Sequence, residues 1–531
     1  AKDYRVLVTV DLGITNHEEV RLAQRLGMRV IVTDHHGLGL EASPADVALN
    51  PLLGDYSFRR LCGTGVAFKL AQALLGLDAC REYLDLAALA TVADIVPLED
   101  ENRILVALGL KEIAGRKREG MRALLRVSGD PDPVDSDVLG YRLGPRLNAA
   151  GRLDDAGKGV RLMMTNDPDE ADRLAEELDA LNTERRAAEQ QLVKAAQAQA
   201  AGHDFIGEKA LIVRGQDWHV GVIGLAAGRL CQQYYCPTCV LSEHEGLLHG
   251  SLRSIPGVHI HECLKTCDDL LLRYGGHEQA AGVTLEADRF EAFSERLQSA
   301  VARAEESCFV PAQPYDAELT LADCTDALLD EISRMAPFGC GNPAPLFGLF
   351  GMRLESVTPV GGGKHLRLRL SRDGTVLTAM KFGTPPQDFH FSPGDEVNLA
   401  VSLDRNEYQG NVSVSVFVKD IRYASTRQDD LLAALREAEA AFRGELAAPL
   451  PVPTRDQAGR VYRFLAGQKG YSGTIEQLFH TIRDESLTYT GLLLILETLR
   501  QAGLIRMDDQ GEILKIGLLP AAGKTDLAAT P

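Results

Sequence analysis

RVLVTVDLGITNHEEVRLAQRLGMRVIVTDHH, Arg5 to His36, decides the fold at the head of the chain. Two runs rich in β-branched residues, Arg5–Val10 and Met28–Thr33, each stop abruptly at polar side chains and read as strands. Between them lies a helix. Asn16 sits at its N-cap position, Glu18 and Glu19 favour its first turn, and Gly27 ends it. Strand, helix and strand make a βαβ unit, whose crossover leaves the two strands parallel and adjacent. Asp11 and the Asp34-His35-His36 cluster then emerge at one carboxyl edge, where open α/β sheets bind ligands.

Aspartate and neutral imidazole suit Mg²⁺, Mn²⁺ or Zn²⁺, and paired divalent ions activate water while stabilising a phosphoryl group under attack. The plain alternative, that Asp34 and His35 only cap the next turn, is about as good for one Asp-His pair. Further along, the apolar helix of EYLDLAALATVADIVPL runs into Asp94, with Pro97 beyond it, and adds another carboxylate at an element end. Four candidate ligand groups shift the balance to a metal site.

The remaining pattern divides the chain. Helical spacing of Leu174, Leu178, Leu181, Ala188 and Leu192 predicts one helix from Asp167-Pro168 to about Ala201, roughly 50 Å long. It reads as an interdomain connector rather than part of either core, implying two lobes and a cleft. A smaller α/β lobe follows from about Phe205 to Ala304, with strands at KALIVRG and TCVLSE, a helix at VGVIGLAAGRLCQQY and a Gly-rich YGGHEQAAGVTL. From Gln313 to Ala424, five alternating segments, MRLESVTPV, KHLRLRL, VLTAMKF, EVNLAVSL and VSVSVFVKDI, predict a small barrel. A charged Ala-rich stretch and APLPVPT then lead to two helices and a hairpin of winged-helix character. The expected domains are residues 1–165, a connector helix 166–203, then 204–308, 309–424 and 425–531.

At 531 residues the chain exceeds one hydrophobic core. It shows no bilayer-spanning apolar run and no secretory signal, and its ten irregularly placed cysteines read as reduced thiols, so a cytoplasmic protein without membrane association is expected. The net charge of −19 argues against nonspecific coating of nucleic acid, which depends on Lys and Arg, but leaves room for local basic grooves.

VTVDLGI, VTDHH, LCGTGVAFKL and ALATVADIVPL, in that order, resemble successive motifs of the DHH phosphoesterases. RLNAAGRL, HGSLRS and YGGHEQAAGVTL continue the likeness into the DHHA1 domain, and PFGCGNPAPLF with a following barrel is most similar to the RecJ family. The resemblance covers roughly four-fifths of the chain. It implies an α/β fold: a parallel-sheet DHH domain joined by a long helix to a smaller DHHA1 domain, then an OB-type barrel and a C-terminal winged-helix-like domain. The implied activity is Mn²⁺- or Mg²⁺-dependent degradation of single-stranded DNA from the 5′ end, in DNA repair and recombination. Carried over by motif, Asp11, His35 and Asp94 are metal ligands and His36 touches the attacking water or phosphate; Asp34 reads as the partner that positions the two histidines, so His36 and Asp34 are the catalytic candidates. Arg152, Ser251, Arg253, Gly276 and His277 are implied contacts to phosphate and strand; in the barrel, Arg367 and Arg369 are candidate DNA contacts on the basic face of KHLRLRL. Implied partners are single-stranded DNA, a single-strand-binding protein and a RecQ-type helicase.

Each contact has a plain counterpart: an interlobe salt bridge for Arg152, a solvated turn for Arg253, a helix start for Gly275-Gly276, a solvated strand face for the barrel arginines. The family's earlier strand motif, D-x-D followed by glycine, has no match before Asp11, and Asp130/Asp132 and Asp135/Asp137 read as turn and cap residues. The expectation is therefore that an N-terminal segment precedes Ala1, that part of the two-metal site lies in it, and that a polypeptide beginning at Ala1 binds metal weakly and hydrolyses little. Cys236 and Cys239 in CPTC have ligand spacing, but no second pair completes a zinc site beside Cys231, Cys263 and Cys267. Trp218 reads as lobe core rather than a base platform, and His219 is ambiguous. The stretch after Thr426 lacks a basic recognition helix, and TGLLLILETLRQ is apolar on too many faces to lie free in a groove, which favours protein interaction. Two competing readings are a DHH-family oligonucleotide or cyclic-dinucleotide phosphodiesterase, which needs no barrel, and an inactive single-strand-binding scaffold.

Overall fold

The computed structural model describes residues 4–520 except 202, 204–207, 390, 409–410, 445–451, 483, 485 and 510–513. The chain divides into two units, Ala1–Ala187 with Asp330–Ala344, and Ala188–Leu329 with Pro345–Pro531.

In the first unit β1 (Val6–Val10), α1 (His17–Arg25) and β2 (Arg29–Thr33) form the expected βαβ unit, with Val6 opposite Arg29 and Val10 opposite Thr33 in parallel register. β3 (Val47–Leu49) adds a third parallel strand beyond β2. Val30 and Val32 are wholly buried, as alternation demands of a covered strand face. Asn16 occupies the N-cap of α1, though its side chain makes no capping bond, and Gly27 ends the helix with φ +85°. The rest is helical: α2 (Gly63–Leu75), α3 (Leu77–Cys80), α4 (Leu84–Ala93), α5 (Asp100–Ala114), α6 (Glu119–Val127), α7 (Gly144–Leu153) and α8 (Gly157–Met164). Their core gathers Leu124, Leu125, Leu139, Leu143 and Leu162, all fully buried. Asp130 pairs with Arg116, and Asp135 Oδ1 accepts from Val138 N at 2.9 Å, so both act in a turn and a cap.

α9 (Pro168–Ala200) runs as one helix of 33 residues, about 50 Å at 1.5 Å per residue. It departs from the expectation of a helix outside both cores. Ala171, Leu174, Ala175 and Leu178 are buried in the first unit's core, and Leu192, Val193, Ala196 and Ala200 in a core of the second. The apolar stripe that marks it as a helix is buried by each half in a separate core. Another difference concerns 330–344, which the sequence boundaries put with the barrel. This segment packs in the first unit: Ser136 Oγ donates to Phe338 O at 2.5 Å, and Leu98 N to Cys340 O at 2.7 Å.

The second unit begins with a sheet of order β4-β5-β6-β8-β7, from β4 (Leu211–Gln216), β5 (Thr238–His244), β6 (Leu247–Arg253), β7 (Arg273–Gly276) and β8 (Ala280–Glu286). Only β4 and β5 are parallel. Leu211, Val213 and Val240 pack against α9 and α10 (Val220–Tyr234), while Leu241, Leu248 and Leu252 pack with α11 (Ile260–Lys265) and α12 (Phe290–Val301). Gly275-Gly276 belongs to the β7–β8 hairpin rather than a helix start. Cys236 lies in one of these cores and Cys231, Cys239 and Cys267 in the other; burial pushes the Cys231 thiol up to about 11 and Cys236 to about 12. Trp218 packs against the α10 core, and His219 caps that helix, its Nδ1 accepting from Gly221 N at 3.1 Å.

α13 (Asp326–Ser333) follows β9 (Ala317–Glu318), and then come β10 (Phe347–Val360), β11 (His365–Arg372), β12 (Thr375–Lys381), β13 (Glu396–Tyr408) and β14 (Asn411–Tyr423). Pairing runs β10–β11–β12–β14–β13–β10, so five strands close a barrel, with a parallel β12–β14 contact and β9 beside β10. All five fall on the alternating segments. Leu366, Leu368 and Leu370 fill the interior while Arg367 and Arg369 stay exposed.

The C-terminal part contains α14 (Gln428–Arg443), α15 (Arg455–Gly467), β15 (Tyr471–Gly473), α16 (Ile475–Ile482), α17 (Tyr489–Gln501), β16 (Ile505–Asp509) and β17 (Leu514–Leu518). The antiparallel sheet β15-β17-β16 and α15–α17 share one core, a winged-helix order with one helix and one strand more than expected. Within APLPVPT, residues 448–451 lie outside the described set.

Candidate metal centre

The parallel register that places Val10 opposite Thr33 brings Asp11 and Asp34 to the same edge, and Asp11 N donates to Thr33 O at 3.0 Å. Asp11 has φ +66°, a left-handed backbone that aspartate tolerates better than most residues. That turn sends its carboxylate toward His35, whose Nε2 lies 3.0 Å from Asp11 Oδ1 and 3.7 Å from Asp94 Oδ2. Asp11, His35 and His36 offer ligand atoms all within 4.8 Å of one another. One carboxylate and two imidazoles within this spacing, with the Asp94 carboxylate 3.7 Å from His35 Nε2, form a donor set of the hardness a divalent first-row ion or Mg²⁺ requires, so the residues fit such an ion.

Asp34 lies beneath. It is 1% exposed, its Oδ2 accepts from Ile14 N at 2.9 Å, and its Oδ1 accepts from His35 N at 2.8 Å and from His36 N at 3.2 Å. The same Oδ1 is 2.7 Å from His36 Nδ1, so the ring donates there and turns Nε2 outward. Burial opposes the charge on Asp34, but the Ile14 amide, the His36 ring and the two following amides outweigh it and hold the carboxyl below its ordinary value. The bond to Asp34 raises the His36 imidazole above its usual range against burial, with Asp11 and Asp94 adding to it. Burial lifts the Asp94 carboxyl; the His35 charge opposes this and Asp11 reinforces it.

Two supports lie around these side chains. Asn50, nearly buried, donates Nδ2 to His36 O at 2.9 Å. Asp94 caps the end of α4 and is followed by Ile95 at φ +58°, a costly conformation for a β-branched residue. The 330–344 segment clamps what comes next. A Cβ added to Gly341 would lie 2.8 Å from Pro97 Cβ, and one at Gly339 would lie 2.7 Å from Leu98 Cδ1. Sequence reasoning passed over Gly63, the first residue of α2, where an added Cβ would stand 2.3 Å from Asp11 Oδ1. The paired glycines of LCGTGVAFKL at a helix start were the available signal; Asn50 carried none.

The other candidates lie elsewhere. Arg152 is exposed on the last turn of α7 in the first unit. In the second unit Ser251 and Arg253 share a face of β6, with Arg253 Nη1 donating to Ser251 Oγ at 3.1 Å. β6 pairs with β8 so that Arg253 faces Ala280 and Ser251 faces Gly282, and Gly276 faces Ala281 across the hairpin. Ser251, Arg253, Gly276 and the exposed His277 therefore gather at one end of the sheet. Gly276 has φ +150°, and a Cβ there would meet Ala280 O at 2.3 Å, so only glycine fits.

Three family models match this chain: the DHH family N-terminal domain over 2–91, the DHHA1 domain over 207–303 and the RecJ OB domain over 315–420. The single-stranded-DNA-specific exonuclease RecJ of Salmonella typhimurium is 36% identical, the match covering 79% of this chain and 78% of the relative. The Bacillus subtilis protein of the same name is 34% identical over 81% of this chain, which spans only 55% of that relative's length. The crystal structure of Thermus thermophilus RecJ with Mn²⁺ superposes with TM-score 0.70 at 32% identity, covering 87% of this chain and 69% of that one. Its Mg²⁺ complex gives TM-score 0.67 at 31% identity, covering 82% and 65%.

Proposed function

The chain belongs to the RecJ family, and on that premise we propose that it is a divalent-metal-dependent exonuclease that hydrolyses single-stranded DNA from the 5′ end, in DNA repair and recombination. The observation that carries this is the convergence of Asp11, His35 and His36 at the carboxyl edge of parallel strands. Asp11, His35 and Asp94 would hold Mn²⁺ or Mg²⁺. The bound ion supplies Lewis-acid polarisation of a phosphodiester and a more acidic water.

The remaining work falls to this chain's side chains. His36, fixed through Nδ1 by Asp34, presents Nε2 to the phosphate or the attacking water, and its raised proton affinity suits a donor to developing negative charge. Asp34 positions rather than reacts, being buried and already occupied by four donors. Ser251, Arg253 and His277 are the groups we assign to the strand's phosphates, with Gly276 allowing close backbone approach. Arg152 is assigned the same task from the first unit, and Arg367 and Arg369 from the exposed face of β11.

No described helix is long and apolar enough to cross a membrane. We place the activity in the cytoplasm, where a single-strand-binding protein and a RecQ-type helicase are the partners that would present it with single strands. A barrel matching the RecJ OB domain favours this reading over a dinucleotide phosphodiesterase. Digestion of 5′- and 3′-labelled strands by the full gene product tests it. Early release of 5′ label supports the proposal; preference for 3′ ends, or for dinucleotides alone, replaces it with the phosphodiesterase reading.

A further inference from the structure

The C-terminal domain has winged-helix order, yet its third helix is not free to enter a groove. α17 buries Leu492, Ile495, Leu496 and Leu499 in its own core and is also packed by α14, with Thr490 Oγ1 donating to Glu437 at 3.0 Å. Its one cation, Arg500, pairs with Glu497 at 2.6 Å, and α14 carries Asp429, Asp430, Glu437 and Glu439 against Arg436 and Arg443. That face is acidic and covered.

The sheet side is different. A concavity of about 640 Å³ opens there, with Lys469, Arg506 and Lys515 on its lining together with Gln468, Asp508 and Ser392. Lys469 belongs to the turn before β15, Arg506 to β16 and Lys515 to β17, and all three are exposed. Among the described residues none of the three side chains forms an ion pair or hydrogen bond, and Asp508 keeps a buried Oδ1 without a partner. The turn is held tightly: Gly470 has φ +120°, and a Cβ there would lie 2.6 Å from Ile516 O, which fixes Lys469 at the rim. In a chain of net charge −19, three cations with Asp508 as the one carboxylate among the described lining residues leave a local excess of positive charge, and a polyanion offsets that excess best.

We propose that this sheet face, through Lys469, Arg506 and Lys515, binds the phosphate backbone of single-stranded DNA as a second contact beyond the barrel. Ser392 argues for this occupant over an acidic protein segment. It belongs to the chain between β12 and β13 of the barrel, so the concavity is continuous with the domain that matches the RecJ OB model. The inference rests on the DNA-acting reading given above. It replaces the expectation of protein interaction drawn from the apolar α17, because the sheet rather than the helix carries the unpaired charge.

The test is binding of fluorescein-labelled oligothymidylates, one short and one several times longer, to the full chain in EDTA, so that no hydrolysis enters. Lys469→Ala/Arg506→Ala/Lys515→Ala should weaken the long strand about 10-fold and lower the slope of log K against log salt by about 2, roughly 0.7 for each phosphate no longer neutralised. The short strand should bind as before. Because the three side chains are exposed, an unchanged melting curve is expected alongside. Equal losses on both lengths, or no loss on either, overturn the inference, as does a variant that keeps its DNA affinity but loses binding of a polyglutamate probe. Wild-type protein that binds neither strand overturns the DNA-acting reading as well, which separates the two failures.

Discussion

Gly63 stands against Asp11 so closely that any side chain at position 63 would occupy the space of the Asp11 carboxylate, at 2.3 Å from Oδ1 and 2.5 Å from Cγ. Gly63 is buried at the first turn of α2, whose amide dipoles favour an anion there. The added carbon would also lie 2.5 Å from Asp11 Cβ, so rotating the carboxylate away does not relieve the clash. Gly63→Ala should therefore lower Mn²⁺ affinity about 10- to 100-fold, as removal of a ligand-orienting neighbour does. Calorimetric titration checks this, with circular dichroism confirming the fold; unchanged affinity in a folded variant contradicts it.

Asp34→Asn keeps the shape and removes an acceptor. One oxygen becomes an NH₂ that must face either the Ile14 amide or the amides of His35 and His36. A donor facing a donor in a buried site costs about 1–3 kcal/mol, and His36 loses its fixed tautomer. We expect lower stability in urea and a fall of about 100-fold or more in hydrolysis at saturating metal. A stable variant with full activity would remove Asp34 from the account.

Because α9 is built into two cores, each half has its own consequence. Leu174→Ala and Leu192→Ala should each cost about 2–5 kcal/mol. Trp218, the chain's single tryptophan, packs beside Leu192's cluster, so its fluorescence reports the second unit. Leu192→Ala should move the fluorescence transition to lower denaturant, while Leu174→Ala should act chiefly on the far-UV signal. Equal shifts by both probes for both variants would show one cooperative unit instead.

On β11 the two faces separate stability from binding. Leu368→Ala should cost about 2–5 kcal/mol, whereas Arg367→Ala and Arg369→Ala should leave stability within about 0.5 kcal/mol. Removing either arginine should weaken single-strand binding and reduce its salt dependence by about one phosphate's worth. Melting curves and anisotropy titrations at several salt concentrations give both quantities.

Much of this fold was legible because its periodicities are local. The alternation Val30–Val32 and the Leu366, Leu368 and Leu370 set marked strands, and the stop at Asp34 marked the carboxyl edge that gathers Asp11 and His35. What stayed hidden depends on neighbours distant in sequence. The clamp of Gly339 and Gly341 on Pro97 and Leu98 joins segments that no pattern of spacing connects, and the approach of Gly63 to Asp11 exists only once α2 is docked. The stripe of α9 was visible as helix but not as core, since burial depends on what lies opposite. Similarly, the apolar surplus of α17 was legible, but not that α14 is what covers it.

The central claim is that Asp11, His35 and Asp94 hold the ion that hydrolysis needs. Its most direct measurement is digestion of a 5′-labelled single strand by the full gene product, comparing wild type with His35→Ala and Asp94→Ala in Mn²⁺, Mg²⁺ and EDTA. The account predicts activity in Mn²⁺ or Mg²⁺, none in EDTA, and a loss of about 100-fold or more in each variant while binding of the strand persists. Wild-type rates in either variant, or undiminished activity in EDTA, would contradict it.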